Sequence, residues 1–418
     1  MKFRLQLVLT LYGVILGTLV AVIAFLFLRL TNFLIYLVWD AGASLFGNPV
    51  FWPILICTLG GIFVGLSRKH IGPYPREMDE VMGEFHANGR VSYQGKIWRN
   101  LVAALIVLMF GASLGPEAAL VSICAGLVTW VGDKLHFTYQ QRDALIEFGI
   151  GALLSIIFSS PLFGVASTQE RESAPPVNKK LHIQKIVIYF FSVSAGFLVF
   201  YYLLQLNDGP SPFANLGSAT VSWPELLLLI PLLLAGKYFG KIYGLFEMVI
   251  AFATRKIQAK PVILAVSGGL ILGILATLLP YMLYSGEHGV GEISNEYDTM
   301  SIYLLLTIGF AKLFVTKICL GTGWRGGHIF PIIFASIAVG FALTKILPVD
   351  PIFIVAIFAT ASCSVILKKP LAAAFLLALF FPIQLWPFII VAAYLAVYKP
   401  KSKNQYRLSE KTAILDFL

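Results

Sequence analysis

The tripeptide Gly115-Pro116-Glu117 places a carboxylate between two apolar segments of the chain, 101–113 and 118–131, which contain no other charged residue. An ionisable side chain at bilayer depth costs about 2.5–3.5 kcal/mol on insertion scales, so one that is kept there indicates a function. Gly115 and Pro116 predict the end of one helix, and Glu117 is then predicted at the start of the next. Because unpaired backbone N–H groups and the positive end of the helix dipole lie at a helix start, an anion and the carboxylate would compete for one place. The sequence therefore predicts an anion site with Glu117 as its gate, the alternative being a structural helix cap.

The other residue types that commonly carry chemistry are scattered. Cys57, Cys124, Cys319 and Cys363 lie in apolar runs without C-x-x-C spacing, which is typical of packing residues rather than of disulfides or metal ligands. The six histidines show no metal-ligand spacing. No Ser/His/Asp set, H-E-x-x-H motif or Cys/His pair occurs at membrane depth. We therefore expect no metal, no cofactor and no enzymatic activity.

The composition is that of a polytopic membrane protein. Of the 418 residues, 58% are hydrophobic and only 12% are charged, and the mean hydropathy is +0.84. The stretch 7–28 is too long for the apolar region of a signal peptide and has no cleavage site after it, so we interpret it as a retained helix. The net charge of +10 indicates positive cytoplasmic loops and attraction to the anionic lipids of the bilayer, rather than a nucleic-acid partner.

Many of the apolar runs are shorter than the roughly 20 residues needed to span a bilayer. Two of these runs, 225–235 and 239–253, are separate from one another, with Lys237 between them. Short segments broken by glycine or proline are tolerated at membrane depth only where they face protein or a watery cavity. Broken helices of this kind mark ion or substrate sites in transporters, so we expect an all-α transport protein.

The basic residues orient the chain in the membrane. Segments 67–99, 170–185 and 401–418 carry several Lys and Arg residues, whereas segments 207–222 and 283–300 carry none. The positive-inside rule places the first three in the cytoplasm, together with both termini, and the last two outside. We therefore predict a multi-pass protein of the plasma membrane with a cytoplasmic C-terminal tail.

The chain also contains a weak internal repeat. The Gly-rich break at 111–117 has a counterpart at 323–331, and the Pro-Leu step at 161–162 has one at 370–371. In each pair the two members lie about half the chain apart, which indicates that the chain consists of duplicated halves. An inverted arrangement of the halves would direct both breaks at one site near the bilayer midplane.

These residues resemble the CLC chloride channel and transporter family over about 55–400. Glu117 falls on the gating glutamate of the family's Gly-x-Glu-Gly-Pro signature, although alanines follow it here. Residues 327–331 are similar to the Gly-x-Phe-x-Pro signature, with Ile329 where Phe is usual. The Gly-Ser-Gly-Ile-Pro signature would lie at 71–75, where only the final proline is kept.

The resemblance implies a CLC-like fold of two inverted helical repeats, about 30–206 and 223–400, within a transmembrane domain at 1–400. It also implies a homodimer in which each subunit has its own anion pathway, with chloride as the transported ligand held by backbone amides. The implied gate is Glu117. By position, the implied anion-binding residues are Gly72, Pro73, Gly115, Glu117, Gly327, His328, Ile329, Phe330 and Ser402.

Two positions depart from the family pattern. Family members that exchange protons carry a second glutamate shortly after the Pro-Leu step, and that position is Arg171 here, with Glu170 before it as the remaining proton relay. The family's central tyrosine is replaced by Ser402. These departures favour a voltage- and pH-gated chloride channel. The alternatives are a proton-coupled chloride antiporter and a secondary transporter for another small anion.

Overall fold

The computed structural model is a helical assembly, and the residues that it describes form no β-strand. These residues are 2–88, 90–134, 154–158, 160, 179–206 and 216–398. A π-helical turn lies at Leu37–Ala41, and 3-10 turns lie at Pro280–Met282 and Ile383–Leu385. The α-helices, numbered in chain order, are α1 (Lys2–Tyr36), α2 (Gly42–Leu45), α3 (Trp52–His70), α4 (Met78–Asn88), α5 (Ile97–Met109), α6 (Glu117–Lys134), α7 (Lys179–Gln205), α8 (Trp223–Thr254), α9 (Pro261–Leu278), α10 (Gly289–Glu296), α11 (Ile302–Gly321), α12 (Ile329–Thr344), α13 (Pro351–Leu367), α14 (Pro370–Leu377) and α15 (Trp386–Val397).

Long and short apolar helices are combined in this fold. Four helical segments of the described residues are long and apolar enough to cross a membrane, namely Thr10–Leu45, Trp223–Thr254, Pro261–Leu278 and Ile302–Gly321. Several shorter apolar helices lie among them. Nearly all of α12 and most of α13 are buried, so these short helices face protein, as short segments at membrane depth must. The predicted all-α architecture with short, protein-facing helices is confirmed.

The apolar runs 225–235 and 239–253 belong to a single helix, α8, rather than to two. The interrupting residue, Lys237, extends its ammonium outward to the carbonyl oxygen of Tyr398 at 3.4 Å. Helix α8 packs closely on α13 at this point. A Cβ on Gly236 would lie 2.4 Å from the carbonyl oxygen of Phe358, so only glycine permits this approach.

A buried lysine ties the loop after α9 to α11. Lys312 is fully buried, and its Nζ donates to the carbonyl oxygens of Tyr281 at 2.9 Å, Leu283 at 3.0 Å and Tyr284 at 2.7 Å. It also lies 5.4 Å from the ring centroid of Phe334 on α12. The sequence reasoning missed this residue, although a lysine inside an apolar run is itself a signal of a special role.

We expect Lys312→Met to destabilise the fold, because several buried carbonyl groups would lose their donor at a cost of about 3 kcal/mol. The thermal unfolding midpoint of the detergent-solubilised protein measures this loss. Lys345→Met is the matched control, since the Lys345 ammonium donates to Asp298 at an exposed site. Equal midpoints for the two variants would contradict a structural role of Lys312.

Candidate anion site at Glu117

Two helix N-termini meet at the predicted site. Helix α6 begins at Glu117 and α12 begins at Ile329. The glycines before them are paired as an antiparallel bridge, in which the N–H of Gly115 donates to the oxygen of Gly327 at 2.8 Å and the N–H of Gly327 donates back at 2.9 Å. The bridge holds both helix starts together, so the positive ends of two helix dipoles converge at one place.

The Glu117 carboxylate lies at this convergence. The residue is only 1% exposed, and its Oε1 accepts a hydrogen bond from the N–H of Ile329 at 3.0 Å. The N–H groups of Phe330 and of Glu117 itself also interact with the carboxylate. Its Oε2 is buried without a hydrogen-bond partner. The carboxylate therefore lies at the start of α12, where the sequence predicts the anion site.

The two bridge glycines make room for this carboxylate. A Cβ on Gly115 would lie 1.9 Å from Oε2 of Glu117, and a Cβ on Gly327 would lie 1.9 Å from its Cδ. No side chain fits at either position while the carboxylate is in place, so glycine is required on steric grounds.

A small cavity of about 70 Å³ adjoins Glu117 on the side of the predicted cytoplasmic loops. This volume is enough for a few water molecules. The cavity wall includes the glycine-rich segment before α12, His328 and three charged residues, Glu77, Asp79 and Lys369. The Lys369 ammonium lies 3.4 Å from the Asp79 carboxylate, so these two charges pair within the wall.

A larger cavity of about 650 Å³ lies beside the residues that precede Glu117, and Leu114 and Pro116 line it. Its wall comes mostly from α1, α7 and the segment between α9 and α10. That segment belongs to the lysine- and arginine-free region 283–300, which is predicted on the opposite face of the membrane from 67–99. The two cavities therefore adjoin the segment 114–117 from two sides, which the loop charges predict to face opposite sides of the membrane.

The structure brings together most of the predicted site residues. Gly115, Glu117, Gly327 and Ile329 form the bridge and the carboxylate contact described above. His328 lines the smaller cavity, and its imidazole ring centroid lies 6.0 Å from the ring of Tyr243 on α8. Phe330 is buried, and its ring packs on Phe158 at 5.4 Å between ring centroids.

Gly72 and Pro73 are placed differently from the other predicted residues. Neither belongs to the described residues that line the cavity beside Glu117. Gly72 has a φ of +110° just after α3, which favours glycine for a conformational reason. The oxygen of Pro73 accepts from Arg325 at 3.0 Å, and Arg325 also pairs with Glu80 at 3.0 Å. The predicted anion contacts of Gly72 and Pro73 stay predictions.

Three of the residues discussed from the sequence, Ser402, Glu170 and Arg171, fall outside the described residues.

Two acidic residues beside the site were not predicted from the sequence. Glu77 lines the smaller cavity and Glu287 lines the larger one. Their signal was an acidic side chain in the short segment that follows an apolar helix, α3 for Glu77 and α9 for Glu287.

No metal or disulfide site emerges from the described part of the chain. Within it, no group of three or more His, Cys, Asp or Glu side chains is arranged to hold a metal ion. All four cysteines, Cys57, Cys124, Cys319 and Cys363, are buried and unpaired. Among the described residues, the candidate binding groups are the backbone amides at the starts of α6 and α12 and the Glu117 carboxylate.

Comparison with known proteins identifies the family. The family model described as "Voltage gated chloride channel" matches residues 60–399. The chain therefore belongs to the CLC family, whose members transport chloride or other anions across membranes. The YfeO ion-transport proteins of Escherichia fergusonii and Escherichia coli are each 26% identical to it over 384 residues, which cover 87% of this chain and 84% of theirs.

Solved structures share the fold at low sequence identity. A CLC-type fluoride/proton antiporter matches with a TM-score of 0.74 at 19% identity, covering 95% of this chain and 96% of its own. A slow cyanobacterial Cl−/H+ antiporter matches with a TM-score of 0.75 at 18% identity, covering 93% of this chain and 94% of its own. These matches confirm the predicted CLC-like fold.

We expect His328→Ala to keep most halide binding, because the backbone amides at the start of α12 survive the change. Gly327→Val should abolish it, since the added side chain would fill the carboxylate and anion position. Isothermal titration of halide into the detergent-solubilised variants measures both effects. Gel filtration, with Gly327→Ala as the intermediate case, separates lost binding from lost folding. Loss of binding in His328→Ala with retention in Gly327→Val would show that the imidazole is the ligand.

Proposed function

We propose that this chain carries chloride or a similar small anion across the plasma membrane along a route that the Glu117 carboxylate closes. The observation that carries the proposal is the hydrogen bond from the Ile329 N–H to Oε1 of Glu117 at 3.0 Å. The carboxylate occupies an anion site built from backbone amides. Protonation removes the charge that holds it there, and a halide ion then takes its place at the two helix starts.

Backbone amides suit a conducting site because they attract an anion without trapping it. Weak binding at several positions lets an ion leave as readily as it arrives, whereas a full positive charge would hold it. The Gly115–Gly327 bridge keeps the two helix starts in register, and the cavities beside it bring water toward the site from both faces. We propose that the protein acts as a homodimer with one such pathway in each subunit and with both termini in the cytoplasm.

The first candidate mechanism is a channel gated by pH and voltage. A gate that carries its own charge responds to the membrane potential, because moving one elementary charge across 100 mV is worth about 2.3 kcal/mol. Arg171 stands at the position where the proton-exchanging members of the family carry a glutamate. Its presence supports anion conduction that is not coupled to protons, since an arginine does not release its proton at physiological pH.

The second candidate mechanism is a proton-coupled antiporter. The observation that favours it is the carboxylate of Glu77, which lines the same small cavity as Glu117. Burial raises the pKa of Glu77, which suits a group that takes up and releases protons nearer neutral pH. Two solved structures with the same fold are described as a fluoride/proton and a chloride/proton antiporter.

We expect Glu117→Gln to give anion flux that depends much less on pH, because the neutral amide mimics the protonated gate. Halide efflux from proteoliposomes, measured from about pH 4, near the ordinary pKa of a glutamate carboxyl, to about pH 8, tests this expectation. Glu77→Gln is the comparison variant, because it removes a carboxylate from the same cavity but keeps the gate carboxylate, so its anion flux should still depend on pH. Unchanged pH dependence in Glu117→Gln would remove Glu117 from the gating role.

We expect a chloride gradient across liposomes to drive no uphill proton movement, because the expected relay position is occupied by Arg171. Reversal potentials measured under a pH gradient provide the independent reading, since a channel follows the chloride gradient alone. Stoichiometric proton movement would favour the antiporter instead. Its loss in Glu77→Gln or in Glu170→Gln would then identify which carboxylate carries the proton.

A further inference from the structure

We propose that Lys369 binds the anion in the small cavity beside Glu117, before the anion reaches the two helix starts. This inference rests on the proposed function and adds to it a residue that attracts the anion on the side of the predicted cytoplasmic loops. The ligand is a small monovalent anion such as a halide, because the cavity of about 70 Å³ holds only a few water molecules.

Lys369 lines the same cavity as the Glu117 carboxylate and the start of α12. The wall of this cavity includes Gly327 and Ile329, and the N–H of Ile329 is the group that donates to Glu117. An anion in the cavity therefore lies next to the backbone amides of the candidate site. Among the described residues that form the cavity wall, Lys369 is the only lysine or arginine.

The acidic residues of the cavity wall make a positive charge necessary there. Glu77 and Asp79 line the cavity together with Lys369, and Glu117 itself forms part of the wall. Without the ammonium, an anion entering from this side would meet these carboxylates and the imidazole of His328 before it reached the helix starts. Lys369 supplies the charge that offsets the repulsion.

The ion pair between Lys369 and Asp79 is one that an anion can exchange. The two charged groups are 3.4 Å apart, and the Asp79 side chain is 80% exposed whereas that of Lys369 is 24% exposed. Water and salt screen an exposed carboxylate, so a pair of this kind contributes little and its partners separate readily. An anion in the cavity and the Asp79 carboxylate therefore compete for the same ammonium.

The place of Lys369 in the chain is unfavourable for its own helix. It directly precedes α14, which begins at Pro370, and Ala372 in the first turn of α14 lines the same cavity. The positive end of a helix dipole favours acidic residues and disfavours a lysine. The lysine and the helix start thus both place positive charge beside the cavity, and an anion bound there would interact favourably with both.

The preceding lysine provides an internal comparison. Lys368 directly follows α13 with a φ of +56°, and its side chain is exposed. It is not among the described residues that line the cavity. Two adjacent residues of equal charge therefore differ in their access to the cavity, which separates a binding role from a general electrostatic effect of this loop.

The test is the Kd of chloride, measured by isothermal titration into the detergent-solubilised full chain. Lys369→Met should raise this Kd about tenfold, because the anion loses a unit charge beside it. Lys369→Arg, which keeps the charge, should stay close to the wild type. Lys368→Met is the matched control and should change the Kd by less than about twofold, since the charge that it removes is exposed and screened by salt.

Asp79→Asn should change the Kd in the opposite direction. It breaks the same ion pair but frees the ammonium from a competing carboxylate, so chloride should bind about threefold more tightly. A purely structural ion pair, which only held α4 to the segment before α14, would make both variants bind more weakly. If Lys369→Met does not fold, Asp79→Asn tests the competition alone, and unchanged or weaker chloride binding in it overturns the inference.

The outcomes separate this inference from the proposed function. An unchanged Kd in Lys369→Met, an equal loss in Lys368→Met, or a wild type that binds no chloride overturns the binding role of Lys369. Halide efflux from proteoliposomes of the wild type tests transport independently of these titrations. Absence of efflux, with chloride binding that still depends on Lys369, overturns the proposed function and leaves the binding site at Lys369 in place.

Discussion

The hydrogen-bonding needs of two broken helices inside a membrane determine how this protein is built around its site. A helix start leaves backbone N–H groups without intrahelical partners, and lipid offers none. In this chain the starts of α6 and α12 face one another. The Gly115–Gly327 bridge satisfies two N–H groups, and the Glu117 carboxylate accepts from Ile329. In the proposed function, the same amides hold an anion when the carboxylate leaves. The fold and the proposed transport route therefore depend on the same backbone N–H groups.

The surrounding helices hold this arrangement close and rigid. Nearly all of α12 and most of α13 are buried, so the helix that begins at the site is surrounded by protein. Close approach depends on glycine at helix contacts, as Gly236 shows where α8 meets α13. Lys312 performs the corresponding task for the loop between α9 and α10, because one buried ammonium satisfies several carbonyl groups that have no helix of their own.

Two further carboxylates, Glu77 and Glu287, place negative charge in the cavities near Glu117, whereas the backbone amides at the helix starts attract anions. Glu77 faces the small cavity and Glu287 the larger one, with Glu117 between them. The anion itself is also repelled by ionised carboxylates. In the proposed function, proton binding at Glu117 and anion passage are linked through charge.

The sequence by itself determined the class of the protein and the local parts of its site. Apolar runs, the Gly-Pro break before Glu117 and the glycines at 326–327 act within a few residues, so their effect on helix ends can be read directly. The family signatures, although incomplete, also indicated that the two breaks belong together. Only the tertiary structure decided that Gly115 and Gly327 pair, that Oε1 of Glu117 accepts from Ile329, that α8 is continuous and that Glu287 lines a cavity with Pro116. These contacts join residues far apart in the chain, and their formation depends on how complete helices pack, which local residue patterns do not specify.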